Sequence, residues 1–359
     1  MKWLDEFAKA SSQTDRFVGN PNQTALLTAG LMGEVGSVLT ELKKEARERD
    51  AYPWYRERML EEVGDFLWYF VRLTSVIAPG VLAEFAESHP SPRKPEPSAL
   101  LLSLELGSGV GDIVTIVTRG NGIHPVEELR PCLHQVWNTL LAVCEEVDLS
   151  LRKAADNNIK KTQSRWPSQP SYGELFDVDF PEEEQLPRHL DVEFRERASG
   201  DHKVVLLRCN GINFGDRLTD NIQDPDGYRY HDVFHFAHAV HLGWSPVVRA
   251  LLHSKRKSIS RVDEAEDGAR AGILEEAVAA IVFNRAKQLK FFEGLNHLDY
   301  DLLKTVREFV QGYEVERIPL WQWEAAILSG YETFRELRSN NGGRVRLDLV
   351  KHQLTFVKP

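Results

Sequence analysis

The chain has 359 residues, a formal net charge of −10 and 42% apolar side chains. That length allows two or three domains, each with a core of its own. The acidic balance argues against non-specific binding to duplex nucleic acid, which needs a basic face, but leaves a free nucleotide open, because a metal ion can supply the positive charge.

Residues 1–10 begin an amphipathic helix carrying Asp5 and Glu6 rather than a signal peptide. No apolar run is read as approaching the length of a membrane span. Cys132, Cys144 and Cys209 form no ligand or disulfide pattern, so a cytoplasmic protein that meets no membrane is expected.

Helical spacing then runs through residues 23–49 and 55–76, where Met59, Leu60, Val63, Leu67, Phe70 and Val71 share one face. Residues 88–98, SHPSPRKPEPS, carry four prolines and predict a linker. Helix resumes over 99–118 and over 126–165, with a break near 147–149. A second proline-rich stretch, 166–187, marks the main domain boundary. Beyond it, 190–197 and 203–209 predict a hairpin around Ser199 and Gly200, and 345–350 with 354–357 predict another. Helices are expected between the hairpins at 230–242, 245–253, 271–292, 299–311 and 320–339. The fold class is mainly α: an all-α helical bundle over 1–168, then a mostly helical α+β domain over 188–359 with small β-hairpins.

The first domain reads as a tandem pseudo-repeat, with copies at about 20–88 and 99–168. LLTAGLMGEVGSVLT, starting at Leu26, matches LLSLELGSGVGDIVT, starting at Leu101, with six identities. Leu60, Val63 and Leu67 likewise fall on Leu133, Val136 and Leu140. Chance likeness between amphipathic helices is the competing explanation. In this alignment Glu34 falls on Gly109, Glu62 on Gln135 and Asp65 on Asn138. An amide keeps the size of a carboxylate but not the charge a hard cation requires. The first copy therefore reads as catalytic and the second as structural.

Glu62 and Asp65 project from one helix face among apolar neighbours. Crowded carboxylates there repel each other and lose solvation, and a divalent cation relieves both problems. Oxygen-only ligands select magnesium, with manganese as the alternative ion. Glu34 lies on the preceding helix, and Gly36 and Gly64 follow Glu34 and Glu62 at the same spacing, as if to let two helices approach. Taken singly, such acids are solvent-facing or paired with Lys and Arg.

The order of these features resembles the MazG-like all-α nucleoside triphosphate pyrophosphohydrolases. It is carried by GLMGEVGSVLTELKK, LEEVGDFLWYF and DLSLRKAADNNIKKTQSRWP, and covers about residues 20–170, with 77–129 looking inserted or duplicated. The family pattern is Glu-x-x-Glu, Glu-x-x-Asp and Asn-x-x-Lys-x-x-x-Arg. It is matched by Glu34, Glu62, Asp65, Asn158, Lys161 and Arg165. The resemblance implies magnesium held by Glu34, Glu62 and Asp65. It also implies substrate contact by Asn158, Lys161 and Arg165, and cleavage of a nucleoside triphosphate into monophosphate and pyrophosphate. A dimeric or pseudo-dimeric bundle is implied as well, so a homo-oligomer, in the simplest case a dimer, is expected.

Ser37 stands where the second Glu of the pattern belongs. Glu41, one heptad after Glu34, and Asp112, which aligns with Ser37, are candidates to help the metal. Lys44 is a candidate phosphate contact, alongside Lys43 and Arg47. Trp68 and Tyr69 read as core, with base stacking as the other option.

In the second domain, His231, His235, His238 and His241 form one helical stripe. A later acidic run supplies Asp267, Glu275 and Glu276, besides Asp263, Glu264 and Glu266. His231, His235, His238, Asp267 and Glu275 are candidate ligands for a second metal, zinc, iron or manganese. The other reading is packed histidines and solvated acids. Lys255, Arg256 and Lys257 are further phosphate candidates. The stretch resembles the domain found C-terminal to MazG-like modules and lacks the full His…His-Asp…Asp order of the HD phosphohydrolases. Three readings stand after the sequence: the pyrophosphohydrolase, a nucleotide-binding sensor whose second domain is a metal-dependent effector, and a helical assembly module whose acids are incidental.

Overall fold

A computed structural model of the chain describes residues 2–85, 98–120 and 125–358. The proline-rich linker expected at 88–98 lies outside the described residues except for Ser98. The chain divides into two compact units, Met1–Pro170 and Ser171–Pro359. Helix predominates, and the described strands form a single antiparallel sheet.

The first unit is built from α1 (Lys2–Thr14), α2 (Gln23–Glu48), α3 (Tyr55–Ile77), the short α4 (Val81–Glu84), α5 (Ala99–Arg119), α6 (Val126–Glu146) and α7 (Leu151–Arg165). Apolar residues recur at helical spacing and become the core: Leu27, Leu31, Val35 and Val38 on α2, and Leu102, Leu106, Val110 and Ile113 on α5. Each fully buried leucine or valine contributes roughly 1.5–3 kcal/mol. Helices α2 and α3 pack as one pair, α5 and α6 as another, and α2 lies against α5. The break expected near 147–149 falls between α6 and α7, where the Ser150 side chain caps Lys153 N. Helix α7 then packs on α3 and α1 rather than on α6. A row of rings, Phe70, Phe85 and Trp137, fills the centre at centroid distances of 5.1–6.2 Å. Asp15, before α2, is paired with Arg72 of α3 at 2.9 Å in a buried contact.

Two of these helices correct the reading of span length. By length and composition, Gln23–Ala51 and Ala99–Arg119 are apolar enough to cross a membrane. Each carries carboxylates within its length, Glu34 in one and Glu105 and Asp112 in the other, and each buries one face in the bundle core. Apolar residues on the exposed face, such as Leu100, Leu101 and Leu104, raise the average.

The second unit carries a five-stranded sheet in the order β3-β2-β1-β4-β5, all neighbours antiparallel. The strands are β1 (His189–Ser199), β2 (His202–Cys209), β3 (Ile212–Leu218), β4 (Gly342–Asp348) and β5 (Gln353–Val357). The two expected hairpins are therefore joined edge to edge, with Val192 opposite Val345. Between β3 and β4 run α8 (Asp232–Leu242), α9 (Pro246–Leu251), α10 (Ser260–Ala265), α11 (Ala269–Gln288), α12 (Tyr300–Phe309) and α13 (Leu320–Ser339). Helix α8 is buried along its whole length, held by α13, α9, α11, β4 and β5. Gly330 of α13 makes room for it, since a Cβ there would sit 3.1 Å from Ala237 Cβ.

Candidate functional site

In the first unit Glu34 of α2 meets Glu62 and Asp65 of α3. Oxygen atoms of the three carboxylates all lie within 4.8 Å of one another. Burial, then the facing Asp65 and Glu62 charges, push Glu34 up to about 8 against the pull of Lys161. Asp65 is also raised by burial, with Lys161 and Asn158 opposing. The half-buried Tyr69 ring lies against Gly30, where a Cβ would come within 2.1–2.5 Å of its ring carbons. Only glycine at that position lets the ring lie there, next to Glu34 and Asp65.

Helix α7 brings the partners that sequence placed in the second copy. Asn158 Nδ2 donates to Asp65 Oδ1 at 2.7 Å. Lys161 Nζ donates to Asp65 Oδ2 and, at 3.1 Å, to Glu61 Oε1. Asn158 is buried, and its Oδ1 has no hydrogen-bond partner. Gly64 makes this approach possible, because a Cβ there would stand 2.8 Å from the Ala154 carbonyl oxygen and 3.1 Å from Asn158 Cβ. The close approach expected of the glycines is thus between α3 and α7, and Gly36 has nothing within 4 Å of a Cβ position. The Arg165 guanidinium lies 4.3 Å from the Trp166 ring centre.

Three expectations are corrected. Glu41 is buried and committed to Tyr52 Oη and to Lys44 Nζ, the latter at 2.7 Å, so it lies outside the carboxylate group. Lys44 is for the same reason a partner of Glu41 rather than a free phosphate contact. Asp112 is exposed and does not join Glu34; its charge adds to burial in raising the Cys132 thiol of α6. Trp68 is buried and donates to Thr14 Oγ1 at 3.1 Å, a core role. In the second copy, a Cβ on Gly109 would lie 3.9 Å from the Gln135 amide, so these two positions face each other as Glu34 and Glu62 do. The amide there supplies no charge.

The carboxylate group fits a hard cation: its donors are all oxygen, and Glu34 is raised by burial and then by charge crowding, both of which a divalent ion offsets. Sequence reasoning missed Glu61, the second acceptor of Lys161. Its adjacency to Glu62 was the available signal.

In the second unit, His231, Asp232 and His235 lie within 4.8 Å of one another through one donor atom each, and so do His235, His238 and Glu275. Glu275 accepts from Ser245 Oγ at 2.8 Å, Val247 N at 3.0 Å and His238 Nδ1 at 2.9 Å. Despite complete burial its carboxyl is held down to about 2, because the His235 and His238 rings outweigh desolvation. Asp232 was missed as a member, although it directly follows His231. Glu276, named in the acidic run, lies beside the group, with Oε1 3.3 Å from His235 Nε2.

Asp267 belongs elsewhere, which corrects its place among the ligand candidates. It accepts from Arg256 Nη2 at 2.7 Å and from Arg256 N at 2.8 Å, with Arg249 Nε at 3.7 Å. Arg256 also pairs with Glu314, so it is a buried structural cation and not a phosphate contact. His241 bonds Tyr172 through Nδ1 at 2.9 Å, away from both groups, and burial lowers it to about 4. The three cysteines are free thiols.

The second unit, a helical layer on a small antiparallel sheet with a buried histidine helix, coincides with a known domain type. The chain belongs to the MazG C-terminal domain family, which matches it over residues 171–359. No curated protein and no solved structure matches the chain. The family match begins at the boundary between the units, and the reading of residues 1–170 rests on their own geometry.

Proposed function

We propose that the first unit is a magnesium-dependent nucleoside triphosphate pyrophosphohydrolase that releases a nucleoside monophosphate and pyrophosphate. The observation that carries this is the convergence of Glu34, Glu62 and Asp65, with Asn158 and Lys161 bound to Asp65 from α7. The family match in the second unit agrees with it, since that domain is named for MazG. Glu34, Glu62 and Asp65 are the ligands of the proposed cation. When bound, magnesium or manganese supplies charge to the phosphate oxygens and lowers the proton affinity of bound water. Lys161 opposes the burial that raises Asp65 and places an ammonium group beside the carboxylates, where a phosphate oxygen would be neutralised. Asn158 fixes the Asp65 carboxylate and keeps an unsatisfied amide oxygen at its side.

A second reading follows from Ser37, which leaves three carboxylates where the MazG-like pattern has four. Here the unit senses a nucleotide and does not turn it over. A panel of ribo- and deoxyribonucleoside triphosphates, incubated with purified protein and magnesium, separates the two. Pyrophosphate and monophosphate appear from at least one substrate under the first reading. Binding without product, seen by calorimetry and chromatography together, supports the second and contradicts the first.

A further inference from the structure

We propose that the second unit binds one divalent transition-metal ion through His231 Nε2, Asp232 and His235 Nε2, with Glu276 as the solvent-facing fourth ligand. This site is separate in residues and in chemistry from the all-oxygen group of the first unit.

The ring of His231 accounts for one nitrogen within the protein. Its Nδ1 is 2.9 Å from the Tyr228 carbonyl oxygen, which can only accept, so Nδ1 carries the proton. In the neutral ring Nε2 then presents a lone pair. That lone pair stands 3.1 Å from Asp232 Oδ1 and 3.9 Å from Glu276 Oε2. Lone pairs and carboxylate oxygens gathered in this way repel unless a proton or a cation lies among them. A metal-bound imidazole characteristically donates its other ring N–H to a carbonyl or carboxylate, and Tyr228 O serves that purpose here.

His235 provides the stronger observation. Its side chain is 0% exposed, and neither ring nitrogen has a correctly directed hydrogen-bond partner. Glu275 Oε1 lies 3.0 Å from Nδ1 and Glu276 Oε1 lies 3.3 Å from Nε2, both off the hydrogen-bond direction. A buried ring left so gives up its hydration without a well-directed bond in exchange. An ion at Nε2 satisfies it and draws in Glu276 at the same time.

The neighbouring group of His235, His238 and Glu275 is closed. Glu275 accepts from Ser245, Val247 N–H and His238, and its side chain is 0% exposed. It is an anchoring carboxylate beneath His235, and His238 is its partner. By contrast the Glu276 side chain is 45% exposed, so the site opens on that side. Two imidazole nitrogens and two carboxylates suit zinc, manganese or iron better than magnesium. An ion held there keeps a position facing solvent for water or an anionic oxygen.

The test is a titration with cobalt(II), whose ligand-field bands report imidazole coordination. Full-length protein is stripped with chelator and kept in excess magnesium. One equivalent of cobalt is expected to bind with visible bands, and zinc is expected to displace it. H231Q and E276A are expected to weaken binding by at least roughly tenfold, the scale already reached by losing an outer-shell partner. E276A changes a half-exposed side chain and so keeps the fold, and circular dichroism checks this. The E62Q variant is expected to bind cobalt as the wild type does. Absence of a cobalt band in the wild type, or a band unchanged in both H231Q and E276A, overturns the proposal. A band lost in E62Q also overturns it, by placing the ion in the first unit.

Discussion

Replacing Glu34 by glutamine keeps its size and removes a charge that the metal-free protein tolerates poorly. Burial and the facing Asp65 and Glu62 carboxylates raise Glu34 from the ordinary 4.5 to about 8. In the folded state the group therefore keeps its proton where the unfolded chain has lost it. The stability tied to that proton is full below 4.5, falls as pH rises, and is gone above about 8. Such a displacement sets an upper limit of about 5 kcal/mol. Partial exposure of Glu34 and solvent screening bring the expected effect to ~1–2 kcal/mol. Thermal unfolding in chelator, followed by circular dichroism, is the assay. E34Q is expected to unfold at nearly the wild-type temperature at pH 4.5 and roughly 2–8 °C higher at pH 9. In saturating magnesium the order at pH 9 is expected to narrow or reverse, because the ion stabilises only the wild type. An equal gain at both pH values, or none at pH 9, would refute the crowding argument.

Further outcomes follow from the packing and the buried ions. Gly64→Ala forces a Cβ to 2.8 Å from the Ala154 carbonyl oxygen, and backbone cannot yield cheaply. It is expected to cost ~1–3 kcal/mol in thermal or urea unfolding and to lower activity by separating Asn158 from Asp65. Arg249→Met leaves Asp177, 1% exposed, with one of its two guanidinium partners, since Arg188 stays 2.8 Å away. Urea unfolding is expected to show a loss of about 1–3 kcal/mol. His241 is held neutral at about 4, below its ordinary 6.5, so the stability tied to it is full above 6.5 and is lost as pH falls to 4. His241→Asn is expected to flatten the fall in urea midpoint between pH 7 and pH 4.5. A midpoint that falls as steeply in the variant contradicts that assignment.

Local signals carried much of this architecture. Apolar spacing located α2, α3, α5 and α6 to within a residue or two, and the Ser150 cap sits at the expected break. The hairpin of β1 and β2 was legible from its turn at Ser199 and Gly200. Strand β3 was not, because Gly215, Asp216 and Arg217 interrupt any alternation on this exposed edge. Nor was the union of the hairpins, since pairing of β1 with β4 links residues far apart in sequence. The same limit governs the sites. Helix phase put Glu62 and Asp65 on one face, and the repeat alignment singled out Glu34. That α7 packs on α3, bringing Asn158 and Lys161 to Asp65, depends on tertiary packing. Glu41 and Asp267 were misplaced because an acid looks alike in sequence whether it faces a cation site or an Arg, Lys or Tyr partner. For Glu41 a local signal existed: Lys44 lies three residues on, within one turn.

Glu34, Glu62 and Asp65, as the proposed cation site, would split a triphosphate between its α and β phosphates. The most direct measurement follows an α-phosphate-labelled nucleoside triphosphate, chosen from the substrate panel, with wild type and with Glu62→Gln in magnesium. Labelled monophosphate is expected from the wild type and, in Glu62→Gln, which reproduces the amide of Gln135, a rate reduced to background. Labelled diphosphate as the product, or monophosphate formed equally by both proteins, would contradict it.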